Sequence, residues 1–168
     1  MSLHSKKIKW MSYLLICLSL FGCKSENGLS TDLYEILGIA SEEINTKFTI
    51  SAPNGWNSFR IGDSIGLVID LVSKDQISFS YDYGAKIYIN ERNKWIEIEN
   101  IAKYPVGSFI VTPDMLPQDI PGAVVDPKIQ KTDEPITVWV ILFGDILTKD
   151  GKFTGDKTAA SISIQLNP

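Results

Sequence analysis

Histidine and cysteine are nearly absent from this 168-residue sequence: His4, Cys17 and Cys23 are the only ones. All three fall within the first 23 positions, so Lys24 to Pro168 carries neither residue type. That stretch cannot build a Ser-His-Asp or Cys-His nucleophile, which needs an imidazole base. It cannot bind zinc through His and Cys ligands, and it cannot be stapled by an internal disulfide. Basic residues are also short, with 16 Lys and Arg against 20 Asp and Glu, a formal net charge of −4. A nucleic-acid binder needs a basic stripe to displace counterions from phosphates, so nucleic acid is excluded as a partner class. No internal repeat or low-complexity tract occurs, and a length of 168 residues suits one domain with a tail.

The first residues have an order of their own. Lys6, Lys7 and Lys9 precede Trp10 to Gly22, a run without charge that ends before Lys24. A transmembrane helix needs roughly 20 apolar residues, and this run is too short. A basic segment followed by an apolar one of roughly 7–15 residues is the pattern of a secretory signal peptide. The junction Leu20-Phe21-Gly22-Cys23 resembles the lipobox of bacterial lipoproteins, in which a small residue precedes the cysteine that becomes the new N-terminus. The resemblance implies that Cys23 receives a diacylglyceryl thioether, and often a third, amide-linked chain. Two acyl chains suffice for stable anchoring, whereas one gives marginal binding. Removal of residues 1–22 takes away three lysines and no acid, which leaves the exported chain near −7. The expectation is an extracytoplasmic, membrane-anchored protein. Lys24 is not the aspartate that signals inner-membrane retention in double-membrane bacteria, and the choice of membrane stays open.

Residues 23–45 read as the lipidated N-terminus and a polar tether. Leu33, Ile36, Leu37 and Ala40 recur within it at helical spacing, with Asp32 placed to cap, so a short helix is expected around 32–40, with Gly38 as an alternative, earlier stop. From residue 46 the period changes to two. Ile65, Leu67, Ile69 and Leu71 form one apolar face; Ile77 and Phe79, Ile87 and Ile89, Ile96 and Ile98, and Ala160 to Leu166 repeat the pattern. Short strands separated by Gly, Asn, Asp and Pro turns predict an all-β, immunoglobulin-like antiparallel β-sandwich over 46–168, with an antiparallel barrel as the rival. Five prolines between 113 and 135 argue against a ladder strand in 112–135, which is expected to be a long connection. Ile136 to Phe143 is apolar on both faces; the face of Trp139, Ile141 and Phe143 needs cover from the 32–40 helix, the Pro-rich connection or a partner.

Four segments carry a family likeness: Ile61-Gly62-Asp63-Ser64-Ile65-Gly66-Leu67, Asp75 to Phe79, the Tyr83 to Ile89 hairpin, and Trp95-Ile96-Glu97-Ile98-Glu99-Asn100. They resemble the immunoglobulin-like domains of uncharacterised bacterial surface lipoproteins and, more distantly, bacterial Ig-like proteinase-inhibitor domains. The likeness bears on fold; function has to be argued from a site.

The candidate chemistry is sparse. Glu97 and Glu99 share a strand face roughly 6.5–7 Å apart, which reads as a solvated face rather than a hydrolytic pair. Asp150 to Asp156 reads as a surface hairpin, because it lacks the alternating ligands and terminal Glu of a calcium loop. Asp70 is expected to face solvent. Trp56, beside the Asn54-Gly55 turn, and Tyr81 and Tyr83, in an aromatic turn, are candidate ligand contacts, since loop aromatics supply rigid contact area. The favoured reading is that they close the ends of the sandwich core. No catalytic residue, metal site or cofactor is expected. The function expected is a non-catalytic binding or envelope-interaction role, with a protein or carbohydrate partner. The alternative is a proteinase-inhibitor-like or edge-strand binding module. Oligomeric state stays open.

Overall fold

The computed structural model describes residues 35–80, 85–104, 107–129 and 133–168, all within one structural unit, Thr31–Pro168. The lipobox-like junction with Cys23, and the Tyr81 and Tyr83 positions, lie outside the described residues. Ten strands form two sheets: β1 (Phe48–Ser51), β2 (Ser58–Arg60), β3 (Ile65–Leu71), β4 (Gln76–Ser80), β5 (Lys86–Glu91), β6 (Lys94–Ile98), β7 (Ser108–Val111), β8 (Gln118–Ala123), β9 (Ile136–Leu147) and β10 (Phe153–Asn167). One sheet has the order β1-β3-β8 and the other β2-β10-β9-β4-β7, with the β5–β6 hairpin attached to β9. Every pairing is antiparallel except that of β2 with β10. The fold is an all-β sandwich. Its pairing order is compatible with the A-B-E and C-F-G arrangement of immunoglobulin-type domains.

Period-two sequence puts one face of each strand into a common core. Ile65, Leu67 and Ile69 of β3 are fully buried and meet Ile77 and Phe79 of β4, Ile87 of β5, and Val138 and Val140 of β9. Phe79 organises the aromatic part, edge-on to Phe48 at 5.0 Å between centroids and stacked on Phe109 at 5.2 Å. The chain changes sheet between β1 and β2. There Pro53 opens a turn in which Asn54 and Gly55 both take positive φ, 58° and 70°, so the strand direction breaks.

The segment 112–135 departs from expectation. Gln118–Ala123 is a ladder strand paired with β3, even though Pro121 lies within it. The physical reason is position. β8 is an edge strand, where a missing N–H leaves no ladder bond unmade, and Pro121 borders a register shift that skips Gly122. Gly122 itself is required, because a Cβ there would lie 2.4 Å from both the Ile65 carbonyl oxygen and Leu67 Cγ. The connection that remains before β8 is short. Leu116, 81% exposed, stands at its tip.

Behind β6 the chain is held by polar bonds. Asn100 Nδ2 donates to the Ala85 carbonyl at 2.6 Å, to the Tyr104 hydroxyl at 2.5 Å and, at 3.3 Å, to the Gly122 carbonyl. Its Oδ1 accepts the Ala102 N–H at 3.1 Å and the Val124 N–H at 3.0 Å. The Tyr104 hydroxyl also donates to the Gly122 carbonyl. One side chain thereby ties the start of β5 and the post-β6 loop to the end of β8, linking the two sheets.

Candidate functional site

Strand β9 has 12 residues, longer than any single partner on its β4/β5 side. Along one edge it pairs with β10 almost throughout. Along the other, Val138–Ile141 pairs with β5 and Asp145–Leu147 with β4. Among the described residues, Leu142, Phe143 and Gly144 therefore have no ladder partner on that side and face a split between β4, which ends at Ser80, and β5, which starts at Lys86. The split is packed from the core side by Gly144, where a Cβ would approach Ile77 Cγ2 to 2.4 Å and Phe79 Cε1 to 3.0 Å.

On the outer side of this split lies a cavity of about 300 Å³. Phe143 and Gly144 line it together with Tyr88, and Ile36 to Ile39 contribute from the preceding segment. Residues 35–37 of that segment are helical and the chain turns at Gly38, whose φ is +68°. The polar lining is Ser80, Lys86, Asp145 and Lys157. Such a volume falls at the small end of ligand sites, and apolar walls with a few polar groups are their usual make-up.

On the second face of β9, side chains of the β5–β6 hairpin pack beside Trp139, while Ile36 to Ile39, within the segment expected to be helical, share the cavity lining with Phe143. Tyr88 stands in register with Trp139, and Trp95 meets Trp139 edge-on at 6.2 Å and 77°. Ile141 is fully buried, while Trp139 and Phe143 are half-buried. The hairpin is closed by a two-residue turn, Arg92-Asn93, with both residues at positive φ, the twist-compatible conformation for such loops. That turn is the signal that would have placed Tyr88, Trp95 and Glu97 on one face.

Glu97 is committed to structure. Its Oε2 accepts the Tyr88 hydroxyl at 3.0 Å and the Lys86 ammonium at 3.2 Å. Burial of Tyr88, 2% exposed, together with the adjacent Glu97 carboxylate, holds its phenol well above the usual range. Burial raises Tyr104 as well. Both shifts act in one direction. A phenol whose folded pKa exceeds its unfolded value near 10 adds stability that is complete below pH 10 and lost as pH rises above it. Alkaline titration of unfolding free energy should therefore fall steeply above about pH 10. Tyr88→Phe should flatten that fall and leave the part due to Tyr104; an unchanged slope would show that Tyr88 titrates alike in both states.

The other sequence candidates are scattered. Trp56 is 62% exposed at the β1–β2 turn, 6.4 Å from Phe59, and so stands in solvent instead of closing the core. It does not line the cavity. Tyr81 and Tyr83, outside the described residues, lie in sequence between two lining residues, Ser80 and Lys86. Asp70 and Glu99 are exposed. The Asp150 to Asp156 stretch is a turn followed by a bulge, in which Thr154 Oγ1 donates to the Ile146 carbonyl at 3.0 Å. Among the described residues no cluster of three or more His, Cys, Asp or Glu could hold a metal ion, and no helix is long and apolar enough to cross a membrane. The chain matches no protein-family model, no curated protein and no solved structure.

Proposed function

We propose that this chain is a lipid-anchored, extracytoplasmic binding module built on an immunoglobulin-like sandwich, with no catalysis of its own. The observation that carries the reading is the order of its first 23 residues: three lysines, an uncharged apolar run, then Gly22-Cys23. An all-β sandwich after a short polar tether suits display outside the cytoplasm. The cavity over Phe143 and Gly144 and the exposed Trp56 are the candidate contact points for a protein or carbohydrate.

Cys23→Ala tests the anchor. Cells labelled with palmitate should yield a labelled wild-type chain in the membrane fraction and an unlabelled variant that keeps its leader and runs larger. Equal labelling of both chains, or none in the wild type, would overturn the reading.

A further inference from the structure

The β3–β4 turn and the β9–β10 turn form one tip of the sandwich. Gln76 pairs with Leu147, and its side-chain Nε2 reaches the Lys149 carbonyl at 3.5 Å. The Lys47 carbonyl accepts the N–H groups of both Val72 and Ser73 at 3.0 Å, which brings the start of β1 to the same end. Two large apolar side chains stand out there, Val72 at 61% and Phe153 at 68% exposure. Around them are Lys47, Lys74, Lys149 and Lys152, against two aspartates, Asp75 and Asp150. Lys47 pairs with Asp75 at 2.7 Å and Lys152 with Asp150 at 3.7 Å. Lys74 and Lys149 have no ion-pair partner among the described residues. The two turns thus set the positive charge of Lys74 and Lys149 beside exposed apolar surface, on a chain that is negative as a whole. Behind it, Glu43 and Asp156 stand with Lys157 along the groove that Lys47 also lines, and Asp70 lies two residues before Val72, so the excess positive charge is confined to the two turns.

We propose that this tip docks onto an anionic lipid surface, with Phe153 and Val72 entering the headgroup boundary while Lys74 and Lys149 meet lipid phosphates. The charge complementarity is direct: basic side chains near an anionic leaflet each contribute, and their stems can lie along apolar surface while the ammonium stays wet. Reach is sufficient too. Eleven residues lie between Cys23 and Glu35, a span of up to about 40 Å when extended. The segment from Gly38 to Lys47 then runs beside Ile146 and Gly155 to Thr158, so the chain arrives at this end of the domain. The proposal rests on the lipid anchor to supply the surface.

The test uses the full lipidated chain reconstituted into phosphatidylcholine vesicles with and without phosphatidylglycerol, read by amide hydrogen exchange. Residues 72–75 and 148–153 should be protected on the anionic vesicles and unprotected on neutral ones. A lysine near such a surface is worth about a fivefold change in binding, so Lys74→Gln with Lys149→Gln should lower the docked-to-undocked ratio by roughly 25-fold. These side chains are exposed, and the double variant should fold as the wild type does. A chain that stays on both kinds of vesicle without protection of the two turns would overturn docking while the anchor stands. Equal protection on neutral vesicles, or in the double variant, would overturn its electrostatic basis. A chain that associates with neither vesicle would contradict both docking and anchor.

Discussion

Asn100→Ala should destabilise the sandwich by about 3 kcal/mol or more, a larger loss than most single polar substitutions produce. The reason is the number of groups it would strand. The Ala102 and Val124 N–H groups lose their acceptor, and the Ala85 carbonyl loses a donor, in a part-buried place where a stranded group costs about 1–3 kcal/mol. Gly122 keeps one bond, from Tyr104, which limits the damage there. Tyr104→Phe removes a single hydroxyl and should cost only about 1 kcal/mol. Thermal unfolding followed by circular dichroism would register the Asn100 change as a fall in Tm on the order of 10 °C for a domain of this size. A fall of a degree or two would mean that water replaces the side chain and that the latch between the sheets carries little.

Gly144→Val should be comparably damaging, and Gly144→Ala should cost about 1–3 kcal/mol through overpacking. The first added atom would sit 2.4 Å from Ile77 Cγ2, within the core that Phe79 and Phe48 complete. Close-packed interiors do not yield by that much without moving backbone or side chains off their rotamers. A double-mutant cycle gives the sharper test. Ile77→Ala removes the colliding atom, so Gly144→Ala should cost less in that background than in the wild type. Strictly additive denaturation free energies would show that the glycine serves some purpose other than space. Because Gly144 also faces the split in β9 pairing, the same substitution should change the walls of the outer cavity.

Asn100 and Gly144 act through long-range contacts that leave no mark in the local pattern of the sequence. Alternation marks β3, β4, β5 and β10 through the apolar residues of their core face, although Ser78 of β4 and Tyr88 of β5 are buried on the other face as well, and it marks β9 as a strand apolar on both faces. It does not reveal β8, because Pro121 argues against a ladder strand except at an edge beside a bulge, where β8 lies. The cover over Trp139 was equally hidden. It depends on β5 adding to β9 beyond the end of β4, a long-range choice that leaves no periodic trace. The cavity arises from that same choice, so periodicity gives no sign that Lys86, Phe143 and Asp145 share one lining. Trp56 was legible as a loop aromatic, and its exposure follows from the turn that Pro53, Asn54 and Gly55 impose. The proposed membrane anchor is the opposite case, since residue order alone points to it, at positions outside the described residues.

The most direct measurement is therefore the intact mass of the chain recovered from cell membranes, with sequencing of its N-terminal peptide by fragmentation. The account predicts a chain beginning at Cys23, lacking residues 1–22 and heavier than the bare polypeptide by a diacylglyceryl group, with or without an amide-linked acyl chain. A chain that begins at Met1, or one that begins at another residue with Cys23 unmodified, would contradict it.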